Sequence, residues 1–144
     1  MTDAQAAKSA HTGTREHFIA TVARLAAEVY DFHERWALES KTPLETIVQR
    51  TPMLDEEIRE LKDEIERPAT EFDEGAMAEE AADVLFVALG HMEQLGAVGL
   101  SGMEAVTAKN ISKTSKSHYK HPLTGKVTRV GRKDVPQFED GTSS

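Results

Sequence analysis

The 144-residue chain has no cysteine. Disulfide scaffolds, thiolate-bound zinc or iron–sulfur centres and thiol catalysis are therefore excluded. Aromatic residues are scarce, at 6%, and the hydrophobic fraction of 39% permits a core, though a lean one. Helices that share apolar faces with a second subunit would ease that shortage. No apolar run approaches the roughly 18–20 residues that a membrane span needs. The opening MTDAQAAKSAHTGT lacks a basic start followed by an apolar stretch, so no secretory signal is visible and a cytoplasmic protein is expected.

Charge is abundant and unevenly placed. The chain holds 25 acidic against 17 basic side chains, a formal net of −8. Residues 55–83 carry thirteen Asp/Glu and three Lys/Arg, whereas residues 105–133 carry eight Lys/Arg and no acid. An even acidic coat would serve solubility. Two opposed blocks require another cause.

The pattern along the chain predicts one mostly α-helical domain over 14–133, after a disordered lead (1–13) and before a mobile tail (134–144), with no internal repeat. Phe18, Val22, Leu25, Val29, Phe32 and Trp36 recur at helical spacing and form the apolar face of a first helix. SKTP is a loop; Thr42, Pro43 and Glu45 then read as N-cap, first helical residue and capping-box partner. Pro52 predicts a break or kink in that helix. Leu54, Ile58, Leu61 and Ile65 form a second stripe, and a further helix is expected from Ala76 to about Leu95, closed by Gly96 and Gly99. Ser101 with Glu104 reads as another capping box, opening a short helix to about Lys113. A turn is expected at Thr124-Gly125 between short strand-like pieces.

The acids fall in register with these stripes. On a helical projection Leu54, Ile58, Leu61 and Ile65 lie within about 40° of one another, and Glu57, Glu60 and Glu64 lie on one shoulder of that face. Glu80 and Asp83 take the same shoulder beside Met77 and Val84. Single acids on an amphipathic helix usually make a solvated face. Here Glu56, Glu57, Glu60 and Glu64 crowd together with only Arg59 and Lys62 nearby, and like charges at these spacings destabilise a helix. A compensating cation is expected. Hard oxygen ligands without cysteine or a histidine cluster point to Mg²⁺ or Mn²⁺, and carboxylates from two facing helices can hold more than one ion.

EEIRE (Glu56, Glu57, Glu60), followed by EAAD (Glu80, Asp83), resembles the EExxE…ExxD signature of the MazG-like all-α nucleoside triphosphate pyrophosphohydrolases. VYDFHERW resembles the FH-containing first helix of that family, and Arg50 stands six residues before Glu56 as in its R-x-x-x-x-x-E-E pattern. DVLFVALGHMEQLG is similar to the helix after ExxD, and AKNISK followed by GKV to its Asn…Lys tail; together the likeness covers about residues 22–130. Two departures, the Ala-rich EAAD segment and the proline before LDEE, remove no ligand.

The resemblance implies a helical bundle of antiparallel helices shared between subunits, with a basic, irregular C-terminal tail. It implies hydrolysis of a (d)NTP at the α–β bond to (d)NMP and pyrophosphate, assisted by divalent metal, and a homodimer or homotetramer. It assigns Glu57, Glu60, Glu80 and Asp83 as metal ligands and Glu56 as either an orienting carboxylate or the base for water. Glu64 is a possible extra ligand or a surface acid. Asn110 and Lys113, with Lys109 one turn before Lys113, are expected to contact the phosphates. Arg50 either reaches phosphate or pairs with the acidic helix. His33 is a candidate pocket residue; Trp36 offers a stacking surface but continues the apolar stripe, and His91 reads as structural. The base stays open, with dUTP or guanine nucleotides (dGTP, GTP) leading. Phosphoribosyl-ATP hydrolysis fits the FH helix and tail less well. The reading of another class is a helical adaptor that binds nucleic acid or a partner through the basic block, with salt-sensitive affinity for DNA. The enzyme reading expects neither nucleic acid nor membrane as a partner.

Overall fold

A computed structural model of the chain describes residues 2–6, 13–38 and 41–131. Most of the expected lead, and all of the expected tail with Arg132 and Lys133, lie outside the described residues. Residues 3–6 make one helical turn. Four longer helices follow: α1 (Arg15–Arg35), α2 (Pro43–Ile65), α3 (Glu74–Gln94) and α4 (Ala97–Ile111). A two-stranded antiparallel sheet of β1 (His118–Lys120) and β2 (Val127–Arg129) comes last, with His118 opposite Arg129 and Lys120 opposite Val127. Gly125, at φ +68°, lies in the connection where the turn was expected. The chain divides into two compact units, Met1–Met103 and Glu104–Ser144.

Local chemistry sets the helix ends. Thr14 caps α1 through a bond from the His17 N–H at 3.1 Å. Its C-terminus is a Schellman turn in which Ala37 N–H donates to Glu34 O and Leu38 N–H to His33 O, with Ala37 itself at φ +48°. The capping box on α2 forms as expected, with the Glu45 N–H on Thr42 Oγ1 and the Thr42 N–H on Glu45 Oε2. α3 starts two residues before the expected Ala76, capped by Asp73, which accepts from the N–H groups of Gly75 and Ala76.

Of the break or kink expected at Pro52, the break does not occur, and α2 is continuous through the ring. The ring removes one backbone bond, but α2 packs along α3 on both sides of that point and this outweighs the local cost. Ser101 does not open a helix either. Gly96, at φ +56°, turns the chain, Leu100 N–H already bonds Gly96 O, and Ser101 falls inside α4.

In the first unit, α3 packs against both α2 and α1. Arg50 lies against Gly90 while Glu57 and Glu60 approach Glu80, so α2 and α3 run antiparallel. The buried centre is more polar than apolar. Val29 and Val87 are the only buried apolar side chains among the described residues, beside buried His33, Thr46, Arg50, His91 and Gln94. Phe32 and Phe86 meet edge-on at 5.8 Å across α1 and α3. The expected stripe on α1 is buried only at its middle. Trp36, read as more apt for the core, is 64% exposed at the C-cap of α1.

Candidate functional site

The half-buried positions of α2 between Leu54 and Glu64 are Leu54, Glu57, Ile58, Glu60, Leu61 and Glu64. The carboxylates thus share the face that turns toward α3. Across from them, α3 presents Glu80 on the same shoulder. One carboxylate oxygen from each of Glu57, Glu60 and Glu80 falls within 4.8 Å of the others. Four acids crowd this corner in all, since Asp83 is exposed but is the foremost charge acting on Glu57.

The electrostatics follow from that crowding. The Glu57 carboxyl is pushed above its ordinary value, first by loss of water and then by the charges of Asp83, Glu60, Glu56 and Glu80. Glu80 moves the same way, by desolvation and then by Glu60, Asp83 and Glu64. Converging carboxylates, two of them, Glu57 and Glu80, held above their ordinary values, with no basic side chain bonded to Glu57, Glu60 or Glu80 among the described residues, have the donor chemistry of a hard divalent cation site. Glu56 stands outside the three-residue cluster, exposed and 3.9 Å from Arg59. Glu64 is not a surface acid. Its side chain is only 12% exposed, Oε1 accepts from Arg67 at 2.7 Å, and Oε2 is buried without a partner.

A second arrangement lies two helical turns earlier on the same face of α2. Arg50 is 9% exposed and makes no ion pair among the described residues. Burial weakens its hold on the proton, while Glu93 favours the charged form. A Cβ on Gly90 would lie 2.5 Å from Arg50 Nη2 and 3.0 Å from the His33 ring, so the missing side chain is what admits both groups against α3. His33 is buried at 4% exposure, its Nδ1 donating to Glu93 Oε2. The Gln94 amide nitrogen donates to Glu93 Oε2 at 2.9 Å and to Leu38 O at 3.3 Å. On the other side of Arg50 opens a cavity of about 350 Å³, lined by Thr46, Gln49, Arg50 and Met53 of α2, by Gln94, and by Ala37, Leu38 and Lys41.

Sequence reasoning placed Arg50 and His33 near a site but missed Thr46, Gly90, Glu93 and Gln94. The available signal was Gly90, Glu93 and Gln94 at helical spacing on the mostly apolar second half of α3. His91 is structural, its Nδ1 donating to Val87 O at 2.7 Å.

Lys109, Asn110 and Lys113 belong to the second unit. The Asn110 amide nitrogen donates to Val106 O and its oxygen accepts from Lys113 Nζ at 2.6 Å, while Lys109 is exposed. The two residues of the Asn…Lys pair are thus joined to each other.

Among known protein families, the MazG nucleotide pyrophosphohydrolase domain matches residues 45–121 of the chain. No curated protein and no solved structure matches it.

Proposed function

The chain belongs to the MazG nucleotide pyrophosphohydrolase family, and on that premise we propose that it hydrolyses a nucleoside triphosphate at the α–β bond, releasing a nucleoside monophosphate and pyrophosphate. The observation that carries the proposal is the convergence of Glu57, Glu60 and Glu80 from two antiparallel helices, their oxygens within 4.8 Å. Such a set fits Mg²⁺ or Mn²⁺ better than softer ions. Glu57, Glu60 and Glu80 would hold the cation, with Asp83 closing the same corner. When bound, the cation supplies positive charge where the phosphate oxygens gather negative charge in the transition state.

The chain's own groups do the rest. Glu56, one turn before Glu60 and outside the cluster, is the carboxylate left to take a proton from the attacking water. Glu64, paired with Arg67, is a neighbouring carboxylate whose charge is felt at Glu80. Arg50 and His33 belong to the substrate-binding set, and Lys109, Asn110 and Lys113 join it as phosphate contacts on their match to the family tail. The protein acts on the cytoplasmic nucleotide pool and assembles as a homodimer or homotetramer.

Purified protein with Mg²⁺ or Mn²⁺ is to be given the common dNTPs and NTPs, with monophosphate and pyrophosphate both measured. Equimolar release of the two is expected, lost in Glu57→Ala and Asp83→Ala. Failure to hydrolyse any nucleotide, or full turnover by both variants, overturns the proposal.

A further inference from the structure

One carboxylate organises the wall of the cavity beside Arg50 without lining it. Glu93 Oε2 accepts from His33 Nδ1 and from the Gln94 amide nitrogen, the latter at 2.9 Å. That nitrogen also reaches Leu38 O at 3.3 Å, and Leu38 N–H closes the end of α1 on His33 O. Gln94, Leu38 and Arg50 all line the cavity, whereas Glu93 is not part of the lining. Whatever Glu93 does for that cavity, it does through its neighbours.

The carboxylate also decides the state of the ring. It can only accept, so the proton it shares with His33 sits on Nδ1, and in the neutral ring Nε2 keeps its lone pair. The Gln94 amide nitrogen lies 3.2 Å from the same Nδ1 but spends its protons on Glu93 and Leu38. Nε2 borders the gap that the guanidinium enters: a Cβ on Gly90 would stand 3.1 Å from His33 Nε2 and 2.5 Å from Arg50 Nη2. An acceptor there suits a group that only donates, and a second N–H at Nε2 would set donor against donor beside a buried cation. Arg50 has no ion pair among the described residues, and Glu93 is the charge that favours its protonated form.

We propose that Glu93 is a positioning residue for nucleotide binding: by fixing the Nδ1–H form of His33 and tying Gln94 to Leu38, it sets His33 Nε2, Arg50 and the cavity wall in the arrangement that receives the substrate. The inference rests on the pyrophosphohydrolase reading above and names the group through which its substrate-binding set is held. An arrangement made before the nucleotide arrives lowers the cost of binding, so its loss is felt in KM rather than in the chemical step at the carboxylates of α2 and α3.

Two variants separate this role from packing. Glu93→Met keeps the side chain's length but offers no oxygen, and Glu93→Gln loses the charge but keeps an acceptor for the Nδ1–H. Glu93→Met is expected to raise KM by about tenfold or more with little change in kcat, and Glu93→Gln to recover most of that loss. Nitrogen-15 NMR of the histidine rings, with His33 identified by its absence in His33→Gln, should place the proton on Nδ1 in the unsubstituted chain and in Glu93→Gln. In Glu93→Met it should move toward Nε2. Calorimetric titration of the common dNTPs and NTPs without metal reads binding apart from turnover, and the melting temperature of each variant is taken alongside. An unchanged KM in Glu93→Met, whatever its melting temperature, overturns the inference. So does a Glu93→Gln variant as impaired as Glu93→Met, or a proton on Nε2 in the unsubstituted chain, a reading that needs no variant to fold. Nucleotide binding that weakens in Glu93→Met, in a protein that hydrolyses none of the nucleotides, overturns the activity and leaves the positioning role standing.

Discussion

At the scale of single residues, the molecule places charge where it is costly. Glu57 and Glu80 both hold their protons more tightly in the fold than in an extended chain, because desolvation and neighbouring carboxylates oppose ionisation. A folded value raised in this way adds stability at pH below the usual carboxylate range, and that increment is lost as pH rises through the raised values. Near neutrality the metal-free protein therefore carries unrelieved repulsion. Metal-free Glu57→Gln should unfold at a higher temperature than the unsubstituted chain near neutral pH, and the gap should close as the solution is acidified. Mn²⁺ should then raise the melting temperature of the unsubstituted chain only, and hydrolysis by the variant should fall by more than about a hundredfold. A variant less stable at neutral pH would show that the carboxylates are not in conflict. Gly90 makes the opposite kind of residue-scale case. Alanine is the better helix former by about 1 kcal/mol, so Gly90→Ala in an indifferent position would stabilise α3. Here the methyl group would collide with Arg50 Nη2 and the His33 ring. The expected result is no gain in melting temperature together with a raised KM for nucleotide, both from one set of purified samples.

At the scale of the helix, the sequence was most legible where periodicity and capping act locally. The shoulder that carries Glu57, Glu60 and Glu80 was readable because burial follows the helical period, and Thr42 with Glu45 was readable because a capping box needs only four residues. Pro52 misled because its penalty is local while the packing that offsets it comes from α3. Ser101 and Glu104 misled for the reverse reason: the cap chemistry is present, but Gly96 has already turned the chain four residues earlier. Gly90, Thr46 and Gln94 gave little sign of a cavity, since each takes its meaning from a partner on another helix. Gly99 is a further instance. It read as a helix end, yet it is buried inside α4, where a Cβ would strike the Met92 carbonyl oxygen and lie within 3.0 Å of its C and Cα. A backbone neighbour cannot swing aside as a flexible side chain can. Gly99→Ala should therefore destabilise the protein by about 1–3 kcal/mol in urea unfolding, despite the better helix propensity of alanine, and a stabilised variant would refute the close approach.

At the scale of the whole molecule, the acidic excess and the lean core prove to be linked. The thirteen acids of residues 55–83 include the cluster, so part of the helix surface that would otherwise be apolar is given to carboxylates. The buried centre of the first unit is likewise polar, with Arg50, His33 and Gln94 occupying positions that a domain of this size ordinarily fills with aliphatic side chains. What should have been core is displaced outward. Tyr30, Leu85, Val98 and Leu100 are all exposed, and Tyr30 and Leu100 flank an apolar groove of about 460 Å³ that also takes in Val29, Leu89 and Met92. Apolar area of that kind on a small domain is stabilised when a second copy covers it. Light scattering at micromolar concentration should give a mass of two or four chains, and the melting temperature should rise with protein concentration, as linkage requires for an assembly that unfolds on dissociation. Leu100→Asp should lower both the mass and the concentration dependence while leaving Mn²⁺ binding by the carboxylates in place. A single-chain mass for the unsubstituted protein, with a melting temperature indifferent to concentration, would mean that two buried aliphatic side chains and a polar centre suffice to hold the helices together.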